Sequence, residues 1–266
     1  MDILKQALAP IPDAAWEQIR EEAVRVLRSQ LTARKVVDVR GPRGLDCAAV
    51  GVGHLDIAQA PAAEGIRYGV HRVQPLIELR AAFELGIWTL DDAERGARDL
   101  DLEPLTLAAK RVARFEDQAV FHGFPEARIP GLFSSSAHDA IKLGPDASSY
   151  PEAVARAMVA MQDSGVGGPY AVVFGPQAFE VLASECHNCE PLVHVEKLVG
   201  GPVHVSPVVE GGFLLSTRGG DFELTLGQDT SIGYETHDAH KVRLYLVESF
   251  TFRILDARAV APLKVG

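Results

Sequence analysis

The stretch RGGDFELTLGQDTSIGYETHD, residues 218–238, packs glycines, acids and β-forming residues into one short span. Gly219-Gly220 followed by Asp221 fits a phosphate loop, a metal loop or a hairpin turn, and the choice sets the fold class. A phosphate cradle wants a helix N-terminus directly after its glycines, and no helical pattern follows here. The flanking segments FLLST and FELTL are rich in strand formers, and two glycines permit positive φ and a tight turn. A hairpin turn between strands is therefore the expectation, which makes the last third of the chain β-rich.

Outward from this turn the periodicities change in blocks. KVRLYLVESFTFRIL (241–255) reads as a long strand, with Val242, Leu244 and Leu246 alternating against Arg243, Tyr245 and Val247. VHVSP precedes the turn as a further strand, and YAVVF (170–174) reads as a strand buried on both faces. Helical patterns cover 151–164, with Pro151 early and Gly165 just after, and then 176–184 and 191–199. The strongest helix is 102–122, LEPLTLAAKRVARFEDQAVFH, with the stripe Leu105, Ala108, Val112, Phe115, Ala119 and Val120. Residues 13–33 form an amphipathic helix with Asp13 as its expected N-cap. Val36, Val37 and Val39 suggest a short strand that stops at Gly41-Pro42. Between 46 and 88 lie alternating β-like pieces around a polar tip at 60–66, the pattern of a long hairpin-like excursion. The sum is an α+β chain whose first and last thirds share a sheet and enclose an α/β insert.

The chain has 266 residues, enough for one large domain or two small ones. It is 47% hydrophobic and 23% charged, which marks a folded chain rather than a disordered one. The net charge of −10, without a dense Lys/Arg run, argues against a general nucleic-acid binder. Three cysteines (Cys47, Cys186 and Cys189) make no disulfide framework and fit a reducing cytosol. The first residues lack the pattern of a signal peptide, and no apolar run approaches a membrane span, so a soluble cytoplasmic protein is expected.

Catalytic signatures are missing. There is no P-loop, dinucleotide fingerprint, HExxH or GxSxG pattern. Ser134, Ser135 and Ser136 read as loop serines. Cys186-x-x-Cys189 with His187 between lacks the second ligand pair that zinc usually needs, and an exposed loop is the default reading. His237 and His240 sit in turn-like context, so no metal site is assigned. Glu116-Asp117 on the long helix is expected on its polar face or in a structural ion pair. Trp88 is expected in a core or an interface, with stacking on a cofactor the lesser reading.

The segments LAPIPDAAWEQI, ARKVVDVRGPRG, PLIELRAAFEL, LDDAERG, FEDQAVFHG, GPYAVVFGPQAF, RGGDFELTLGQDTSIGY and VRLYLVESFTFRIL occur in this order along nearly the whole chain. Jointly they resemble the encapsulin family, the proteins that build icosahedral bacterial and archaeal nanocompartments. The resemblance implies the fold of HK97-type phage capsid proteins. Residues 1–45 would be the N-terminal helix and the start of the P-domain, 46–75 the extended E-loop, and 76–130 the P-domain with its long helix. Residues 131–220 would be the A-domain and 221–266 the return to the P-domain. The implied function is a non-enzymatic shell of sixty identical chains. It would enclose a dye-decolorising peroxidase or a ferritin-like iron-storage enzyme through that cargo's C-terminal targeting peptide. Nucleic acid and membranes would not be partners. The implied cargo groove matches Leu27, Leu31, Arg34, Val36, Asp38 and Ile232, with the apolar four taking peptide anchors and Arg34 and Asp38 orienting the peptide. The implied pore loop carries Cys186, His187 and Cys189. No cofactor is required, although some relatives hold a flavin beside the positions of Trp88 and Arg80. The competing readings are a phage-type major capsid protein and a stand-alone hydrolase or flavoprotein.

Overall fold

In a computed structural model, residues 3–184 and 190–266 are described. The chain opens with helix α1 (Asp13–Gln30), strand β1 (Asp38–Arg40), the arm strands β2 (Ala49–Ile57) and β3 (Gly69–Pro75), and then β4 (Ile77–Gly86). Next come α2 (Ile87–Glu94), the long α3 (Glu103–Phe121), α4 (Leu132–Ser135), β5 (Ile141–Leu143), α5 (Tyr150–Asp163) and β6 (Tyr170–Phe174). The last part holds α6 (Pro176–Ser184), α7 (Glu190–Val199), β7 (Val203–Val205), β8 (Gly212–Ser216), β9 (Phe222–Leu226), β10 (Ser231–His237), β11 (Lys241–Ile254) and β12 (Val260–Val265).

Two sheets organise these elements. The first runs β1-β9-β11-β10, with β4 on the other edge of β11. The first and last thirds of the chain thus share a sheet, as their composition suggests. β11 is its spine. Its start is flanked by β10 and β4, and its end by β9, in antiparallel register with Phe250 opposite Leu226. Covered on both faces after Leu244, β11 loses the expected alternation, and Tyr245 and Val247 are as buried as Leu246. α1 and α3 lie across this sheet and close a core of Trp16, Ile19, Leu105, Val112, Leu244 and Leu246.

The second sheet runs β5-β12-β8-β6-β7 and packs with α5 and α7 around Tyr150, Phe174 and Phe213. Its membership corrects two expectations. β8 belongs to this sheet while β9 belongs to the first, so Gly219-Gly220 is no hairpin turn. Both glycines have positive φ, near +85°, and they carry the chain from one sheet to the other. The stretch 221–266 likewise divides. β9 to β11 return to the first sheet, but β12 pairs with β8 and β5 in the second.

The remaining differences are local. Pro12, not Asp13, caps α1. On α3, Phe115 reaches the surface and lies edge-on to Phe124 at 5.3 Å and Phe250 at 6.4 Å. Of the two placements expected for Glu116 and Asp117, the polar face fails, since both are fully buried, and the structural ion pair holds for Glu116, which pairs with Arg34 at 2.6 Å. The spacing explains the burial, because Glu116 stands four residues from both Val112 and Val120 and so shares their inward face.

Among the described residues, β2 and β3 pair only with each other, as a two-stranded arm. Its base is held by Gln74, whose Nε2 donates to the carbonyls of Ala127 and Arg128, and by Arg253, which donates to that of Gly51. Beyond the base the arm exposes Leu55, Ile57, Ile66, Tyr68, Val70 and Val73.

Candidate functional site

α1 ends where Leu31 leaves helical geometry, and a single 3₁₀ turn over Ala33–Lys35 folds the chain back toward β1. The last two turns of α1, this turn and the loop between β9 and β10 border an open groove of about 430 Å³. Val24, Leu27 and Leu31 give it an apolar floor, and Arg28, Arg34, Lys35, Asp229 and Thr230 form its rim. Val24 is 48% exposed, an aliphatic side chain presented to the groove rather than to the core.

The groove wall rests on buried charge. Arg34 Nε donates to both oxygens of Glu116 at 3.0 Å, and its Nη2 donates to Glu116 Oε2 at 2.6 Å and to Glu248 Oε1. Its Nη1 donates to Asp229 Oδ1 at 2.8 Å across the groove. Thr230 adds a hydroxyl donor to Glu248 at 3.1 Å. Beside this cluster the Asp117 carboxylate accepts from the backbone N–H of Ala33 at 2.8 Å and of Thr32 at 3.3 Å, and from the Ser206 hydroxyl at 2.8 Å. Burial pushes Asp117 up to about 6, although these donors pull the other way. Burial, and then the Glu116 charge, also hold Glu248 well above the usual carboxylate range, against the pull of Arg34.

The six residues assigned to this groove from sequence are not all in it. Leu27, Leu31 and Arg34 line it. Ile232 lies beneath, in the same core as Leu27 and Leu31, and is itself buried. Val36 packs into the core of the second sheet. Val36 and Asp38 border a separate polar hollow with Gly219 and Asp221, where Asp38 accepts from the Gly220 N–H at 2.6 Å. Arg34 is committed to three carboxylates of its own chain, and Asp38 holds the crossover between the sheets. Sequence reasoning missed Val24, Arg28, Lys35, Asp229 and Thr230. Val24 alone left a signal there, three residues before Leu27 on the same helical stripe.

Cys186, His187 and Cys189 lie outside the described residues. Arg80 stands in mid-β4, ion-paired with Glu78 at 2.8 Å and 5.0 Å from the Tyr245 ring centre. Trp88 is 77% exposed on α2. The rest of β4 separates the two by roughly 20 Å along the backbone at about 3.3 Å per residue. His237 contacts the Tyr234 hydroxyl at 2.6 Å, and no cluster of metal-ligating side chains occurs among the described residues. Ser136 is structural, donating to the Val260 carbonyl at 2.8 Å. Among the described residues, no helix is long and apolar enough to cross a membrane.

Solved structures place the fold. The virus-like particle of Pyrococcus furiosus matches 92% of this chain and 97% of its own with a TM-score of 0.63 at 16% identity. The Mycobacterium phage Bobi structure matches 89% and 91% with a TM-score of 0.61 at 14% identity. The architecture is therefore the HK97-like capsid fold. Sequence carries the comparison further. The type 1 encapsulin shell protein of Rhodococcus erythropolis is 43% identical over 264 residues, covering 99% of this chain and 100% of that protein. The pattern of the family described as "Encapsulating protein for peroxidase" matches residues 1–251. An HK97-like fold shared with phage capsids, joined to a family match along almost the entire chain, shows that this chain belongs to the encapsulin shell proteins.

Proposed function

We propose that sixty copies of this chain close into a hollow icosahedral particle in the cytoplasm, and that the groove beside α1 holds enzymes inside it by their C-terminal targeting peptides. The arm carries the assembly half of this reading. A two-stranded hairpin is at best marginally stable alone in water, and this one exposes a row of large apolar side chains, Ile57 at 64% and Val70 at 61% among them. The chain exposes 14121 Å², against about 11,300 Å² for a compact monomer of its mass by surface scaling. Covering the arm with a neighbouring copy removes both anomalies. Contacts that join different patches of identical chains close into rings and shells when the rotation closes.

Support for the cargo half is the groove itself, with an exposed aliphatic floor between charged rims. Such a surface suits a short peptide whose aliphatic side chains seat between α1 and the β9–β10 loop. The peroxidase named in the family description makes a peroxidase the first cargo to test. The kinship with phage capsids is one of fold at low identity, whereas the kinship with encapsulins extends along the sequence.

Size-exclusion chromatography and negative-stain imaging of the full chain are expected to give closed particles in the megadalton range. A monodisperse monomer or dimer overturns the shell reading. For the groove, Val24→Glu changes an exposed side chain and leaves the core untouched. Shells of this variant should assemble normally and co-purify with at least tenfold less peptide-tagged cargo. Undiminished loading would place the cargo contact elsewhere.

A further inference from the structure

The base of the groove holds more buried acid than base. Glu116 and Glu248 are both fully buried and both reach the same Nη2 of Arg34. Asp229, the third acid on Arg34, is half exposed and screened by water. The groups bearing on Glu248 are Arg34 from the 3₁₀ turn, Glu116 from α3 and the Thr230 hydroxyl from the β9–β10 loop, with Asp229 of that loop on the other nitrogen of Arg34. On β4 the register partner of Glu248 is Leu79, which brings no charge. Arg28 and Lys35 stay at the groove rim.

One buried guanidinium can neutralise one buried carboxylate. Glu248 Oε2 is also buried with no hydrogen-bond partner among the described residues. A neutral hydroxyl in that position costs far less than an unpaired oxyanion. We propose that Glu248 is a protonated latch on the turn that walls the groove: neutral, it completes the grip on Arg34, and ionised in alkaline solution it loosens that turn. α3 and β11 form the core of the molecule and have little freedom to yield. The 3₁₀ turn over Ala33–Lys35 is open to solvent only at Arg34 and Lys35, the β9–β10 loop is partly exposed at Asp229 and Thr230, and the groove between them brings water to Arg34. Ionisation leaves a second negative charge beside Glu116 that is relieved only by hydration, and hydration enters by separating these two walls. The proton leaves Glu248 for solvent hydroxide, and no other bond changes. The latch is a property of the folded chain and stands whether or not the groove takes cargo.

The sign follows from linkage. A carboxyl held above its unfolded value stabilises the fold at low pH, and that contribution is lost as pH rises through the folded value. Infrared difference spectroscopy of assembled wild-type particles should show a protonated carboxyl C=O band at neutral pH that disappears in alkali. Asp117 titrates near 6 and is separable from it. The urea unfolding rate of wild type should rise at least tenfold between pH 7 and pH 10. In Glu248→Gln, which keeps the shape without the titration, the rise should fall below twofold and the band should be missing. Absence of an alkali-titrating carboxyl band in wild type overturns the latch, as does an unchanged alkaline rise in the variant. Should Glu248→Gln fail to fold, the wild-type band decides alone.

Discussion

Arg34 shows how a residue assigned to recognition turns out to carry structure. Its guanidinium is spent on Glu116, Glu248 and Asp229. It lines the groove and orients its wall. Removing it strands two buried carboxyl groups. Arg34→Ala should therefore lower stability by about 3–5 kcal/mol, measured by urea unfolding at neutral pH. Replacing the whole cluster, Arg34→Met with Glu116→Leu and Glu248→Leu, should restore much of that loss, since apolar residues of like volume leave no charge uncompensated. A triple variant less stable than Arg34→Ala would mean that the cluster contributes more than it costs to bury. The sequence held a trace of this arrangement. Glu116 at four residues from Val112 and Val120 is an acid on an apolar face, which demands a partner. The partner's identity was not legible, because Arg34 lies 82 residues away and meets Glu116 only through the fold.

Elements were legible where their pattern was long. The helices at 13–30 and 103–121 and the strand at 241–254 follow from periodicity, because long apolar stripes run along them, those of α3 and β11 reaching into both cores. Pairing between distant segments was less so. FLLST and FELTL flank two glycines as hairpin strands would, yet β8 and β9 enter different sheets. What separates them is the ion pairing of Arg218 with Asp221 at 2.8 Å and Asp256 at 3.3 Å, together with the Gly220 bond to Asp38. Arg218, Gly220 and Asp221 lie within the stretch, but Asp38 and Asp256 lie outside it, with no local pattern to announce their role. The arm is the element with the clearest consequence. Its excursion was visible in the alternation of 46–88, and Ile57 and Val70 lie exposed on it. A variant with Ile57→Glu and Val70→Glu should fold with wild-type far-UV circular dichroism and fail to assemble, eluting as a small species. Closed particles from this double variant would show that the arm's apolar face is dispensable for contact between copies.

For the whole molecule the buried acids set a pH profile that composition does not reveal. Two surface carboxylates with ordered partners act in the usual direction. Asp256 beside Arg258 and Asp238 beneath the His240 and Lys241 amides are held below their ordinary range and favour the fold above it. Asp117 acts in the opposite sense. Burial raises it to about 6 from an ordinary 3.8, so the folded chain binds a proton more tightly than the unfolded one between those values. Its contribution is complete below the ordinary value and is lost as pH rises through about 6, an effect of roughly 3 kcal/mol for a shift near two pH units. The molecule should accordingly be more resistant to urea near pH 5 than near pH 8. Asp117→Asn keeps an oxygen for the Ala33 amide and removes the titration. Its unfolding midpoint should be flatter between pH 4 and pH 7 than that of wild type, with the difference confined to that window. A variant that keeps the full wild-type slope would assign the slope to other groups. It would also leave Asp117 as a carboxylate whose three hydrogen-bond donors outweigh its burial.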